Sequence, residues 1–343
     1  MARHPLVEIT RVKFLEFLRE PEAIFWVLVF PVLLSLALGI AFRSKPPEAL
    51  AIAVQEGPGA SAARDALATD RALAPRTLPE ASCREALRAG RVALVVVPGD
   101  PVTYWFDPTR DESRVARLAA DAALQGAAGR ADAVAASDRL MTEKGSRYID
   151  FLVPGLLGMN LMGTGMWGVG FSIVTARSRG LLKRLIATPM KKRHYLVGQM
   201  LGRMVFLVPE VGLLVAFAAL VFDVPVRGSL AALVAVSSLG GLAFTGIGLL
   251  VAARPRTIEG VSGLMNFVML PMWIFSGVFF SPSRFPDAIL PWIRLLPLTA
   301  LNDALRAVMI DGATLASVAS ELLVLSVWGA LAFAVALRLF RWK

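Results

Sequence analysis

The sequence predicts an α-helical polytopic membrane protein with six transmembrane helices, plus a small α/β extracytoplasmic domain. Hydrophobic residues make up 56% of the 343 residues, and the mean hydropathy is +0.62, values typical of a chain with several membrane spans. Six apolar stretches are long enough to cross a bilayer at about 1.5 Å per residue. One further stretch, 43–148, is much more polar, and it predicts the α/β part.

Apolar stretches and the charges beside them divide the chain. The six predicted transmembrane helices cover 23–42, 149–174, 196–222, 230–252, 258–280 and 315–337. A mixed-charge stretch, 1–22, precedes the first span and predicts a cytoplasmic interfacial helix. Residues 281–312 contain several prolines and pieces too short to cross a membrane, which indicates an extracytoplasmic re-entrant segment. Pro31 predicts a kink in the first span.

Residues 43–148 have a different pattern, in which acidic and basic residues are almost balanced. Short β-like runs (Ala49–Val54, Val92–Val97, Val102–Phe106) alternate with helical patterns (Ser61–Leu67, Glu80–Ala89, Glu112–Leu124). This alternation predicts a small α/β domain. Long loops are translocated regardless of charge, so we expect the domain outside the cytoplasm. Cys83 is the one cysteine, which excludes an internal disulfide and favours a small buried residue over a reactive thiol.

The loop 175–195 carries seven arginines and lysines and no acid. A short basic loop between two spans is expected in the cytoplasm, and the basic segments 253–257 and 338–343 fall on the same side, which places both termini there. Fixing topology or binding anionic lipid headgroups would need charge alone. The loop also has apolar residues at helical spacing, which predict a short docking helix. They are Leu181, Leu182, Leu185 and Ile186, with Pro189 predicted to end the helix.

This loop resembles the cytoplasmic coupling loop of the type-two ABC transporter permeases, which has the pattern acid-x-acid-x-Gly-x-x-x-x-Leu-x-x-Thr-Pro. The matching residues here are Gly180, Leu185, Thr188 and Pro189. Arg177 and Arg179 stand where the family usually carries acids, so the resemblance implies an acidic partner surface or altered contacts. The candidate ATPase-coupling residues are Arg177, Arg179, Gly180, Leu181, Arg184, Leu185, Thr188 and Pro189.

A second resemblance lies at the end of the fifth span. The family pattern Pro-x-Trp-x-x-Ser-Gly-x-x-Phe and a later Pro-Leu-Thr are matched by Pro271, Trp273, Ser276, Gly277, Phe280, Pro297, Leu298 and Thr299. The stretch LRAGRVALVVVPGD resembles, in layout more than in residues, the extracytoplasmic domain found in a subset of the same family. The resemblance therefore implies a permease of that subset, in a bacterial cytoplasmic (inner) membrane.

The partners implied by this resemblance are a cytosolic ABC ATPase subunit, a second permease copy or related chain in a homo- or heterodimer, and membrane lipid. The sequence contains no G-x-x-x-x-G-K-[ST] pattern, so we expect ATP and Mg²⁺ on the partner ATPase and no nucleotide on this chain. We expect no catalytic site, cofactor or metal on the chain, and no nucleic-acid partner. The resemblance also implies that closure of the ATPase pair pushes the coupling helix and opens the path outward.

The family places the second and fifth spans at the dimer centre, and they supply the candidate path residues Met159, Asn160, Met162, Asn266, Phe267 and Phe275. Methionines and aromatic residues adapt to varied apolar ligands, so we expect a hydrophobic or amphipathic substrate: a drug, a lipid or a natural product. Asn160 could equally form an interhelical hydrogen bond. Six glycines in the second span predict close helix packing.

Glu210 lies near the middle of the third span, directly after Pro209. A carboxylate at that depth must be protonated, paired with a base such as Arg203, or exposed to a hydrated cavity. Two other functions therefore stay open. One is a proton-coupled secondary transporter that uses Glu210, and the other is a non-transporting membrane scaffold driven by a cytosolic ATPase.

Overall fold

The computed structural model describes residues 5–41, 49–130, 145, 147–187 and 192–341. The chain forms two compact units. Residues 44–141 form the smaller unit, and residues 1–43 together with 142–343 form the larger one. The larger unit is helical, whereas the smaller unit contains a β-sheet.

Helix α1 (Pro5–Arg19) packs along the later helix α10 (Lys192–Phe222). The rings of Phe14 and Phe17 lie 5.7 and 4.2 Å from the ring of Phe206. Val12 and Leu18 are half exposed on another side of the helix. An apolar side without protein neighbours is typical of a helix at a membrane interface, and this position of α1 stays a prediction.

The first apolar segment begins as α2 (Pro21–Ile24), widens into a π-helical turn (Phe25–Val29) and continues as α3 (Phe30–Ala41). Pro31 is the second residue of α3 and lies two positions after the last residue of the wide turn. Proline has no backbone N–H to donate, and its ring crowds the carbonyl four residues earlier. A π-helical turn is one of the ways in which a helix accommodates such a disturbance. The irregularity expected at Pro31 thus falls in the turn before it.

The smaller unit is a four-stranded sheet with three helices. Its elements are β1 (Leu50–Gln55), α4 (Ala60–Leu67), β2 (Leu73–Leu78), α5 (Glu80–Arg88), β3 (Leu94–Val97), β4 (Thr103–Trp105) and α6 (Asp111–Ala127). The strand order is β2-β1-β3-β4, with β1 parallel to β2 and β3, and β4 antiparallel to β3. Ile52 and Val54 pack with α4 and α6, and Ala53 packs with α5 on the other face. Cys83 is fully buried on α5, as predicted.

After the smaller unit the chain continues with α7 (Tyr148–Gly163), a π-helical turn (Thr164–Gly168) and α8 (Val169–Ser178). The later helices are α9 (Leu181–Ile186), α10 (Lys192–Phe222), α11 (Leu230–Val251), α12 (Ile258–Phe275), α13 (Leu290–Arg294), α14 (Pro297–Met309) and α15 (Ala319–Leu339), with a 3₁₀ turn at Pro282–Arg284. Helix α12 ends before the predicted limit of 280 because Gly277 adopts a left-handed conformation (φ 69°).

Five helices of the described part of the chain are long and apolar enough to cross a membrane. They are Pro21–Ala41, Arg193–Phe222, Leu230–Val251, Ile258–Phe275 and Ala319–Leu339. The predicted second span, formed by α7, the π-helical turn and α8, is not among them. Its many glycines and Asn160 make it less apolar than the other five. A sixth transmembrane helix therefore stays a prediction.

The core of the larger unit surrounds α11 and α14. Helix α14 is buried along most of its length and contacts α7, α11 and α15. Burial among other helices is what a non-spanning segment at membrane depth requires. Gly158 of α7 meets α14 so closely that a Cβ atom there would lie 2.0 Å from Oδ1 of Asn302. The Asn302 side chain in turn donates a hydrogen bond to the Ser276 carbonyl at 2.8 Å.

The close packing predicted for the six glycines of the second span is confirmed at four of them. A Cβ atom at Gly155, Gly158, Gly165 or Gly170 would approach a neighbouring residue within 3.0 Å. Gly163 and Gly168 were predicted wrongly, because a Cβ atom at either position would meet no described residue within 4 Å. These two glycines border open space.

Candidate functional site

The segment after α8 forms the short helix expected from the sequence. Gly180 adopts a left-handed conformation (φ 70°), which glycine tolerates at the end of a helix, and α9 begins at the next residue. Thr188 and Pro189 lie outside the described residues, and so does the predicted stop at Pro189. The same holds for the side chain of Leu185.

The apolar face of α9 differs from the single ridge predicted. Leu182 is fully buried in the core of the larger unit, whereas Leu181 is 45% exposed. Arg179 and Arg184 are exposed. Leu182 therefore anchors α9 to its own chain, and among the side chains of α9 that the structure describes, Leu181, Lys183 and Arg184 are exposed.

Arg177, one of the predicted ATPase-coupling residues, does not lie on this exposed surface. It is 8% exposed, and its guanidinium donates hydrogen bonds to backbone carbonyls of two other segments. The acceptors are Ala252 (3.0 Å), Ala253 (3.0 Å), Pro255 and Arg341 (3.0 and 3.2 Å). Carbonyls at helix C-termini lack partners within the helix, and a cation is favoured there by the helix dipole. These acceptors explain the burial of a charged residue.

A cavity of about 740 Å³ lies between α1, the first apolar segment, α7–α8 and α12. Met159 and Asn160 of α7, which were predicted to line a path, both border it. The open spaces beside Gly163 and Gly168 belong to it as well. Its other aromatic and sulfur-containing neighbours are Trp26, Phe30, Trp167, Phe171, Met269 and Trp273. The cavity can accommodate an apolar molecule of drug or lipid size.

Two hydrogen-bond donors in the wall of this cavity have no acceptor among the described residues. They are Nδ2 of Asn160 and Nε1 of Trp273, and both atoms are buried. A buried donor without an acceptor is unfavourable by about 1–3 kcal/mol.

One end of the cavity is charged. Lys13 and Glu16 of α1 form an ion pair of 2.6 Å, and Lys13 also donates to the hydroxyl of Ser172 at 2.6 Å. Arg179 borders the same cavity. The apolar and charged ends together suit an amphipathic ligand.

The remaining predicted path residues do not join Met159 and Asn160. Met162 is fully buried in the helical core. Asn266 is exposed and Phe267 is 77% exposed on α12, and the ring of Phe275 packs 5.1 Å from that of Phe285. Met162 therefore has a packing role within this chain, and the two exposed residues lie on an outer face of α12.

Glu210 is buried in a polar cluster with two other side chains. Its Oε2 lies 2.5 Å from a guanidinium nitrogen of Arg203, and its Oε1 accepts a hydrogen bond of 2.9 Å from Thr164. Arg203 also donates to the Thr164 hydroxyl. Of the three environments considered for Glu210, the structure has the ion pair with Arg203.

Sequence reasoning missed the aromatic wall of the cavity. Trp26, Trp167, Phe171 and Trp273 come from three separate helical segments, and only folding brings them together. Trp167 and Phe171 stack with their ring centroids 4.8 Å apart. Their spacing of four residues in a glycine-rich helix was a usable signal, because residues at i and i+4 lie on one face.

The long apolar helices around an aromatic cavity are features of a multi-pass membrane transport protein. The chain belongs to the ABC-2 family of transporter proteins, since the model of that family, described as ABC-2 family transporter protein, matches residues 21–338. Proteins of this family are membrane subunits that normally work with an ATPase subunit.

Two relatives illustrate the similarity. The chain is 29% identical over 169 residues to ABC transporter G family member 20 of Dictyostelium discoideum, covering 49% of this chain and 23% of the relative. It is 24% identical over 198 residues to the probable multidrug ABC transporter permease YbhR of Escherichia coli strain K12, covering 57% of this chain and 53% of the relative. The chain thus spans about a quarter of the first relative and about half of the second.

Proposed function

We propose that this chain is the permease subunit of an ATP-driven exporter that moves a hydrophobic or amphipathic substrate out of the cytoplasm or the inner leaflet. The aromatic cavity is the observation that carries this proposal. Such a cavity suits drugs, lipids or natural products with a large apolar surface. The Escherichia coli relative is named as a probable multidrug permease, which agrees with this substrate class.

The energy would come from a separate cytosolic ABC ATPase, which binds ATP and Mg²⁺. The absence of a P-loop pattern from the sequence supports a separate ATPase. The docking surface would be the exposed face of α9 with Arg179, Leu181 and Arg184. A basic surface with an apolar residue suits an acidic partner surface with an apolar pocket.

A second permease copy, or a related chain, would complete the transporter. The exposed face of α12 with Asn266 and Phe267 is the surface that we assign to this contact. Membrane lipid would cover the other apolar surfaces. The complex would lie in a bacterial cytoplasmic membrane with both termini in the cytoplasm and residues 43–148 outside it.

The ion pair of Glu210 supports a structural role for this residue, so we do not assign it to proton transport. Its carboxylate oxygens contact Arg203 and Thr164. A proton carrier has to exchange protons with water, and a closed ion pair opposes that exchange.

The substrate site can be tested in proteoliposomes that contain the permease and its ATPase, with a fluorescent amphipathic dye as the transported probe. Asn160→Ala and Trp273→Ala should raise the dye concentration needed for half-maximal transport, because each removes a wall contact of the cavity. Leu220→Ala is the matched control, since Leu220 is 85% exposed on α10. Unchanged concentration dependence in both cavity variants would contradict the proposed site.

A further inference from the structure

The C-terminal ends of three long helices meet at Arg177. Arg177 lies in the last turn of α8. Its acceptors Ala252 and Ala253 follow the end of α11, and its acceptor Arg341 follows the end of α15. The N–H of Arg341 also donates to the carbonyl of Ala253 at 3.3 Å. Helices far apart in sequence are thus joined through one side chain.

Arginine is suited to this junction for geometric reasons. Its planar guanidinium carries five N–H donors at fixed angles, whereas a lysine ammonium carries three on a flexible stem. Here Nε, Nη1 and Nη2 each donate to at least one carbonyl. The ring of Phe340 lies 5.5 Å from the guanidinium carbon and covers it from one side. The arrangement fixes α8 rigidly to the two other helix ends.

The junction lies directly beside the proposed docking helix. Only Ser178, Arg179 and Gly180 separate Arg177 from the first residue of α9. Leu182 of α9 is buried in the same helical core. A displacement of α9 would therefore act on Arg177 first, and through it on the ends of α11 and α15.

We propose that Arg177 is a positioning residue that transmits movement of the ATPase-bound helix α9 to α11 and α15. This inference rests on the proposed function. When the junction is intact, a push on α9 moves the three helix ends together. When it is broken, α9 moves without them, and ATP is hydrolysed without a matching amount of transport.

The test compares dye transported with ATP hydrolysed in proteoliposomes containing the permease and its ATPase. We expect Arg177→Gln to keep an ATPase rate within about twofold of wild type while transport per ATP falls about tenfold or more. Arg177→Lys should give a value of transport per ATP between those of wild type and Arg177→Gln, because it keeps the charge and loses the planar fork. Arg254→Gln is the matched control, since Arg254 is an exposed arginine in the same turn.

Equal losses of ATPase activity and transport in Arg177→Gln, or an unchanged ratio, would overturn the inference. If Arg177→Gln does not yield a folded complex, Arg177→Lys decides by the same ratio, and Phe340→Leu is its control because it leaves the guanidinium and its acceptors in place. An unchanged ratio in Arg177→Lys would likewise overturn the inference. A wild-type complex without ATP-driven transport would overturn the proposed function as well. If the wild-type complex transports dye and the variants keep the wild-type ratio of transport to ATP hydrolysis, only the role of Arg177 is removed.

Discussion

Arg203 and Glu210 form a buried ion pair on one helix, with 2.5 Å between a guanidinium nitrogen and Oε2 of the carboxylate. The pair lies two turns apart on α10, and Thr164 from the π-helical turn completes the cluster. Removing one member of a buried pair leaves the other charge without compensation, which costs about 3–5 kcal/mol. Through Thr164, the pair therefore holds α10 against the π-helical turn between α7 and α8.

Glu210→Gln should destabilise the protein by roughly 3 kcal/mol, because Arg203 then remains charged and buried. The double variant Arg203→Met with Glu210→Gln should recover most of that loss, since no buried charge is left. Thermal unfolding of the purified protein in detergent measures both. A single variant as stable as wild type would contradict the structural role, and a loss of pH-driven uptake without ATPase would favour proton transport instead.

Gly163→Leu should reduce transport severalfold without preventing assembly with the ATPase. The position has space for a side chain, and that space is the cavity. Filling it narrows the site for a bulky substrate. Gly212→Leu on α10 is the matched control, because a Cβ atom there also meets nothing within 4 Å. Equal transport by Gly163→Leu and wild type would show that substrate does not occupy this cavity.

Gly158→Ala, in contrast, should lower the stability of the folded protein. Its Cβ atom would lie 2.0 Å from Oδ1 of Asn302, so α7 and α14 would have to separate. Overpacking of this kind costs about 1–3 kcal/mol. The melting temperature and the yield of monodisperse protein measure the effect. Gly163→Ala is the control, and an equal melting temperature for the two alanine variants would contradict the close contact of α7 and α14.

Leu181→Asp combined with Arg184→Glu should abolish binding of the ATPase, because the change cancels the net positive charge of residues 179–184 and removes the exposed leucine. Pull-down of the ATPase by the purified permease measures the complex. Arg114→Glu with Leu118→Asp is the matched control, since it makes the same changes on exposed positions of α6. Full binding by the α9 variant would place the docking surface elsewhere on the chain.

Five long apolar helices and the short helix after Gly180 could be predicted because they depend on local sequence. Apolar length and helical spacing are properties of a single segment. Strand β2 was not predicted. Its sequence LAPRTL carries Pro75 and Arg76, which are unfavourable in a central strand but tolerated at a sheet edge. Its place at the edge is decided by pairing with β1.

The roles of Arg177 and of the cavity wall could not be predicted because they depend on contacts between distant segments. In the sequence, Arg177 is one of seven basic residues in a loop. Its acceptors are more than seventy positions away. Gly163 and Gly168 border open space, whereas the other four glycines are closely packed. This difference likewise depends on how the neighbouring helices pack against the segment.

The central claim is that this chain carries no energy source of its own and is driven by a separate ATPase. The most direct test reconstitutes the permease alone, and the permease with its ATPase, in otherwise identical vesicles and measures dye accumulation against a gradient. We predict ATP-dependent accumulation only when both subunits are present, and none when the ATPase carries an inactive catalytic site. Accumulation by vesicles that contain this chain alone would contradict the account.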